Sequence, residues 1–430
     1  MSKVLLVYPG IGISGFNPRS NCHNGGEFDW IHHGIAMIGA VLRREGHSVF
    51  LTDLRKDRSW TDLAELIRDT LPDWVGISAS FLDTKAAMTA AEIAKNNHPS
   101  CKVVVGGLSP TLDTHIWEVN SNIDHIITNE GEVSVVKLLK GEITDRIIKG
   151  EQPDLNTLPY VARDLFEYDW ELASSFSGSQ PSPMVTMLSA RGCPFQCTYC
   201  QPAERMVFGK GTRHRSVDHV IGELKELREK YHFKSITWWD DTFTINSAWV
   251  REFCEKYKAE GFDAEMVVCN RADIICRNEE AVRLLASIGV KSFVIGFETG
   301  SDRLLKFLKK GTTVDMNIRA AEICRKHGIE VFGTFMLGLP SETPDESQAT
   351  IDMIKAIKPD YKIVFYFTPI PGTEIYKYCI DNQLMLRTEE LAIERTGDYK
   401  PKIKGIDYSF LNKLRSELEE PCLEHQVAHT

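Results

Sequence analysis

Twice along this 430-residue chain, short β-branched runs alternate with stretches of helical periodicity. That alternation confines the fold to parallel sheets with helices packed on them, because each strand must be carried back to the start of the next by a crossover. The first series predicts strands at Val4–Tyr8, Ser48–Thr52, Trp74–Ser78, Val103–Gly106 and His125–Thr128. Its helices fall at Ile35–Glu45, Thr61–Thr70, Thr84–Asn96 and Glu132–Leu139. Residues 1–145 therefore read as a doubly wound, Rossmann-like α/β domain, with ligands expected at the carboxyl ends of its strands. Residues 146–182, rich in Pro, Asp and Ser, read as a linker. The second series, residues 183–373, predicts strands at Val185–Ser189, Ser235–Trp239, Glu265–Val268, Phe293–Gly296, Val331–Leu337 and Ile363–Phe367. Helices such as Val217–Tyr231 and Glu280–Ile288 lie between them. Six such units make a partial (β/α)6 TIM-like barrel whose site lies where strands end and loops begin. A short, charged C-terminal extension, residues 374–430, follows.

Directly after the first strand of the second series stand Cys193, Cys197 and Cys200, within Gly192-Cys193-Pro194-Phe195-Gln196-Cys197-Thr198-Tyr199-Cys200. Three thiolates at this C-x3-C-x2-C spacing can hold three irons of a 4Fe–4S cube and leave the fourth open, whereas an electron-transfer cluster normally takes four cysteines. Gly192 and Pro194 suit the curled loop that such tight spacing needs. The alternative is a zinc site. Zinc sites usually pair two C-x2-C knuckles or add histidines; no second knuckle is present, and His214 is the nearest downstream histidine. The other eight of the eleven cysteines (Cys22, Cys101, Cys254, Cys269, Cys276, Cys324, Cys379 and Cys422) are scattered. Unpaired spacing points to a reducing, cytoplasmic setting and to small apolar roles rather than a disulfide scaffold. The net charge of −10 argues against a nucleic-acid partner. No apolar run approaches the ~20 residues of a membrane span, and the N-terminus lacks the pattern of a signal peptide.

The triad resembles the signature of the radical S-adenosylmethionine superfamily. In that family the open iron is chelated by the amino and carboxylate groups of S-adenosylmethionine, and an electron from the cluster releases a 5′-deoxyadenosyl radical. The resemblance implies six contacts to that cofactor: Phe195, Tyr199, Asp240, Arg271, Glu298 and Leu337. Tyr199 would lie by the adenine. Asp240 stands in Trp239-Asp240-Asp241-Thr242-Phe243, after the second strand. Arg271, after the third, suits a carboxylate partner by charge-assisted pairing. Glu298, in Gly296-Phe297-Glu298-Thr299-Gly300, resembles the acid that accepts from the cofactor's amino group. Leu337 belongs to the run Phe335–Pro340, which resembles the adenine-side strand, and Phe367–Thr373 resembles a loop near the site. Taken singly, each acid could be a helix cap and Arg271 a structural ion pair. Arg213, His214 and Arg215 read as a solvated or ion-paired face.

The first domain carries Ser78-Ala79-Ser80, Gly106-Gly107 and Asn129-Glu130-Gly131-Glu132 at successive strand ends. Glycines let a backbone approach a bulky ligand, and hydroxyls can hydrogen-bond its polar tail. The arrangement resembles the cobalamin-binding domain of methionine synthase and its relatives, which implies Tyr8, Ser78, Ser80, Gly106, Gly107, Asn129, Glu130 and Gly131 as cobalamin contacts. One departure matters. That family places D-x-H-x-x-G after the second strand, but this chain reads Asp53-Leu54-Arg55-Lys56-Asp57. No histidine of this loop would reach cobalt, and the lower face would meet Phe81-Leu82-Asp83-Thr84. On the residues alone, a flavodoxin-like or nucleotide-binding domain remains open.

Together the two resemblances identify the chain as a member of the cobalamin-dependent (class B) radical S-adenosylmethionine methyltransferases. They imply a 4Fe–4S cluster, methylcobalamin, a low-potential electron donor and two molecules of S-adenosylmethionine, one for the radical and one to remethylate the cobalt. The implied reaction is methylation of an unactivated carbon. The substrate would be a peptide or protein loop, as in the archaeal group that C-methylates glutamine in methyl-coenzyme M reductase, or a small molecule such as a natural product, lipid or porphyrin. The alternatives are a non-methylating member, of the anaerobic cyclase or ring-contraction type, and a cobalamin-binding sensor with an inactive barrel. No catalytic acid or base is singled out.

Overall fold

The computed structural model describes residues 1–11, 16, 30–56, 59–166, 180–386 and 401–418. Cys22, Asp57 and Cys422 lie outside the described residues, as do 167–179 of the expected linker and 387–400 and 419–430 of the extension. The chain divides into two compact units. The first is built on Met1–Trp170 with Ala203–Gly209, the second on Glu171–Pro202, Lys210–Glu390 and Thr396–Thr430.

In the first unit six parallel strands form one sheet: β1 (Lys3–Tyr8), β2 (Ser48–Asp53), β3 (Trp74–Ser78), β4 (Lys102–Gly106), β5 (His125–Thr128) and β6 (Ile147–Lys149), in the order β2-β1-β3-β4-β5-β6. The order reverses beside β1, which opens a crevice at the carboxyl ends of the strands. One face of the sheet presents Leu5, Val7, Val75, Ile77, Val103 and Val105, all buried. Against it lies the helix Thr84–Asn97, whose Ala86, Ala87, Ala90, Ala91 and Ala94 are small enough for close packing. Each large aliphatic side chain so buried contributes roughly 1.5–3 kcal/mol. Two features depart from expectation. The sheet runs past residue 145 into β6, a three-residue edge strand too short to show an alternation. Two short helices, Leu108–Leu112 and Thr114–Glu118, follow β4.

The second unit holds six parallel strands in sequential order: β7 (Met184–Met187), β8 (Ser235–Trp238), β9 (Glu265–Asn270), β10 (Val290–Glu298), β11 (Glu330–Leu337) and β12 (Tyr361–Tyr366). Helices separate them, and their starts are fixed chemically. Thr343 and Glu346 form a reciprocal capping box with Pro344 behind the cap, and Ser216 caps Val217–Tyr231. An aromatic core backs the early strands: Trp249 stacks on Phe253 at 5.2 Å, and Trp238 meets Phe253 edge-on at 5.4 Å. Among the described residues no helix is long and apolar enough to cross a membrane.

Candidate active site

The cysteine loop leaves the carboxyl end of β7, and its root is pinned by Asp240 at the end of β8. The Ser189 amide donates to both Asp240 carboxylate oxygens at 3.1 Å, and the Ser189 hydroxyl donates to one of them at 2.6 Å. Burial pushes this carboxyl up to about 6, against the pull of those hydrogen bonds. Asp240 is thus committed to the loop's first residues. A two-residue antiparallel pairing of Ala190–Arg191 with Arg213–His214 comes next. Arg215 donates to the Leu188 carbonyl at 2.8 Å and pairs with buried Glu223 at 2.7 Å, so this part of the basic run is ion-paired structure.

Inside the loop, the amides of Cys200 and Gln201 both donate to the Cys197 carbonyl, at 3.0 and 2.8 Å, curling the chain. The Thr198 amide donates to the Leu308 carbonyl at 2.9 Å. Cys197 is buried, Cys193 half-buried and Cys200 exposed. Arg271, buried at the end of β9, donates from Nη1 to the Cys197 sulfur at 3.4 Å and lies 3.6 Å from the Phe195 ring centroid. Its Nε pairs with Asp273 at 2.9 Å and its Nη2 donates to the Lys310 carbonyl. Burial works against its charge, but Asp273 and Cys197 more than offset that and raise its pKa.

Glu298 ends β10 after a register shift beside Gly296, in the left-handed region at φ 68. A non-glycine residue held there costs of order 1–3 kcal/mol, a strain that clusters at functional sites. The turn brings the Glu298 carboxylate back across its own strand. A Cβ on Gly296 would overlap that carboxylate and come within 3.0 Å of the Lys310 ammonium. Lys310 pairs with Glu298 Oε1 at 2.7 Å, and the Tyr199 hydroxyl donates to the same oxygen at 2.9 Å. Lys310 also donates to the Tyr199 oxygen at 2.9 Å. Among the described residues, Oε2 takes no hydrogen bond. Burial, and then the Glu298 charge, hold the Tyr199 phenol well above its ordinary pKa, so it stays a donor. Leu337 is fully buried at the end of β11, two residues past Phe335, which stacks on Phe297 at 5.6 Å.

In the first unit, Tyr8, Ser78, Ser80, Gly106, Gly107 and the Asn129–Gly131 run all stand at the carboxyl edge of one sheet. The Ser80 amide donates to buried Asp83 at 2.6 Å, and Ser80 Oγ accepts from the Leu82 amide at 3.2 Å, so the loop after β3 is tightly wound. Burial pushes the Asp83 carboxyl up to about 6. Gly107 sits at φ 109, where a Cβ would come within 2.7 Å of the Ala79 carbonyl oxygen. Asn129, left-handed at φ 61, donates its amide to the Thr111 hydroxyl at 2.9 Å and its side-chain amide to the Met206 carbonyl. Arg55 grips Asp53 at 2.6 and 2.9 Å, with its guanidinium 4.8 Å from the Tyr8 ring centroid. The His32 ring lies 4.8 Å from the same ring. Its Nδ1 accepts from the Ile35 amide at 3.2 Å, and desolvation followed by the Arg55 charge pushes its pKa down to about 4. A neutral ring that accepts at Nδ1 carries its proton on Nε2 and has no lone pair there for a metal.

Residues 187–354 match the model of the radical SAM superfamily, and residues 26–139 match that of the B12 binding domain. The "uncharacterized methyltransferase PH0819" of Pyrococcus horikoshii is 31% identical over 401 residues, covering 89% of this chain and 85% of that protein. This chain belongs to the cobalamin-dependent radical S-adenosylmethionine methyltransferase family. A second relative of this family member is the anaerobic magnesium-protoporphyrin IX monomethyl ester cyclase of Synechocystis sp., 27% identical over 397 residues, or 86% of this chain and 76% of the cyclase. The solved structure of the cobalamin-dependent S-adenosylmethionine radical enzyme OxsB, with aqua-cobalamin and S-adenosylmethionine bound, shares the fold. It matches with a TM-score of 0.76 at 16% identity, over 97% of this chain and 66% of OxsB.

The family's cofactors are a 4Fe–4S cluster, S-adenosylmethionine and cobalamin, and the residues present suit them. Cys193, Cys197 and Cys200 stand as free thiols in one loop curled about the Cys197 carbonyl, a donor set that can hold three irons of a cube. Among the contributors not foreseen from sequence are Lys310, Ser189, Asp273 and His32. Lys310 follows Lys309 in the chain, and nothing local distinguishes the two; yet Lys309 makes an exposed pair with Glu374, while Lys310 is buried on Glu298.

Proposed function

We propose that this enzyme methylates an unactivated carbon. The observation that carries the proposal is the bond from Tyr199, inside the cysteine run, to Glu298 at the end of β10. It joins the thiol loop to a carboxylate that Lys310 holds in place and whose second oxygen is open to an ammonium group. When bound, the family's cofactors supply a 5′-deoxyadenosyl radical for hydrogen abstraction and a cobalt-borne methyl group, restored from a second S-adenosylmethionine. The chain's own residues then have distinct tasks. Cys193, Cys197 and Cys200 hold the cluster, and Asp240 fixes the root of their loop through Ser189. Glu298 accepts from the amino group of S-adenosylmethionine beside Tyr199, and Phe195 and Leu337 serve as apolar contacts to the same cofactor. Tyr8, Ser78, Ser80, Gly106, Gly107, Asn129, Glu130 and Gly131 form the edge that receives cobalamin. Arg55 and His32, both committed elsewhere, leave the cobalt without a nitrogen from either. Similarity to a named methyltransferase over 89% of the chain supports methyl transfer.

A second reading, radical ring chemistry without methyl transfer, is favoured by the cyclase relative that covers 86% of the chain. Anaerobic incubation with deuterated-methyl S-adenosylmethionine and a low-potential reductant separates the two. Substrate arms would be a peptide bearing the glutamine of methyl-coenzyme M reductase, a lipid and a porphyrin. A deuteromethyl group on carbon supports the first reading. A modified, unlabelled product accompanied by 5′-deoxyadenosine supports the second and defeats the first.

A further inference from the structure

We propose that Arg271 tunes the reduction potential of the cluster held by the cysteine loop, and does not grip the carboxylate of S-adenosylmethionine. This rests on the cofactor assignment above and adds the task of one side chain to it. Each of the three guanidinium nitrogens already has a protein partner: Nε has Asp273, Nη2 has the Lys310 carbonyl, and Nη1 has the Cys197 sulfur at 3.4 Å. The flat face is covered by Phe195 at 3.6 Å. A bidentate grip on a carboxylate needs two parallel N–H groups along one edge. The Nε edge is taken by Asp273, and the remaining edge is divided between a carbonyl and a sulfur. Asp273 is itself buried and also paired with Arg277, so the fork is held in one orientation.

The direction of the effect follows from charge. Reduction adds one electron to the cluster. A cationic N–H donor at a ligand sulfur stabilises the more negative state, and hydrogen bonds to sulfur and local charge are among the terms that set such potentials. Arg271 is only 5% exposed, so water screens the interaction little. Its removal therefore makes the cluster harder to reduce. The geometry also spares the ligand-binding groups: the Lys310 carbonyl is the point of contact, while the Lys310 ammonium remains on Glu298.

The test uses the full chain, reconstituted anaerobically with iron and sulfide, as wild type, R271Q and R271K. Two quantities are read: the midpoint potential from an EPR-monitored redox titration, and the affinity of the oxidised protein for S-adenosylmethionine by calorimetry. R271Q should shift the reduction equilibrium at least tenfold toward the oxidised form, ~59 mV for a one-electron couple, with affinity within about twofold of wild type. R271K, which keeps the charge without the fork, should fall between. An unchanged potential in R271Q overturns the proposal, and a tenfold loss of affinity at unchanged potential assigns Arg271 to the carboxylate instead. Should R271Q fail to load iron, R271K decides: a lowered potential at native affinity supports the proposal and a native potential overturns it. Failure of the underlying cofactor assignment looks different, because wild type itself would then show no 4Fe–4S signal.

Discussion

Alanine at Gly107 should loosen the first unit by about 3 kcal/mol, while alanine at the adjacent Gly106 should cost under about 1 kcal/mol. Gly107 has φ 109 and ψ −164, a region essentially reserved for glycine, and another residue there costs of order 1–3 kcal/mol. Steric overlap adds to this. A Cβ would lie 2.7 Å from the Ala79 oxygen and 3.0 Å from its nitrogen. Neither atom can retreat freely, since the Ala79 amide donates to the Gly106 carbonyl at 2.8 Å and its carbonyl accepts from Ser109 at 3.0 Å. A lost hydrogen bond of this kind costs about 1 kcal/mol. At Gly106 the nearest atom to a Cβ is the Ile127 oxygen at 3.4 Å, and φ is not positive. Hydrogen exchange of the β4 amides Val103–Val105 in the full chain provides the assay, with every 1.4 kcal/mol worth tenfold. Exchange should accelerate roughly 100-fold in G107A and by less than about tenfold in G106A. On the proposed role of Gly106 at the cobalamin edge, G106L should lose cobalamin uptake while its β4 amides stay protected. Wild-type protection in G107A would refute the steric argument. Equal loosening by G106A and G107A, or normal cobalamin uptake by G106L, would remove Gly106 from the cofactor edge.

Lys310→Met should destabilise the second unit by about 3–5 kcal/mol, because it strands a buried carboxylate, and K310M combined with E298Q should recover most of that. Hydrogen exchange at β10 reads both, and simple additivity of the two changes would contradict the pairing. Asp240, raised to about 6 by burial, binds a proton more tightly in the folded than in the unfolded chain. Its contribution to stability is therefore largest below the unfolded value near 4 and falls as pH rises through about 6. Relative to wild type, D240N should gain stability between pH 4 and pH 7, by up to about 3 kcal/mol on the ~1.36 kcal/mol per unit scale. Thermal unfolding at the two pH values checks the sign, and a greater relative loss at pH 7 would overturn it.

Both sheets were legible because their strands are runs of apolar and β-branched residues with helical periodicity between them. All eleven strands expected from the sequence are present, with ends shifted by no more than three residues. β6 escaped because Ile147-Ile148-Lys149 offers no alternation, and its place is set by pairing with β5. The inclusion of Ala203–Gly209 in the first unit escaped for a related reason: it depends on contacts such as that of the Gln152 side chain with the Phe208 carbonyl at 2.6 Å, 56 residues away. At the site, residue type and strand-end position were readable, but the allocation of partners was not. Asp240 stands where a ligand-facing acid was expected, yet its carboxylate is bound to Ser189. Tyr199 and Glu298 were each picked out, but their bond spans 99 positions and is a product of the barrel's curvature.

EPR of the reduced, anaerobically reconstituted protein reads whether the three cysteines hold a 4Fe–4S cluster whose remaining iron binds S-adenosylmethionine. Wild type should give a reduced-cluster signal that changes on adding S-adenosylmethionine, with 5′-deoxyadenosine formed alongside, and Cys197→Ala should give neither. Zinc in place of the cluster, a signal indifferent to S-adenosylmethionine, or wild-type yields of 5′-deoxyadenosine from the variant would contradict the account.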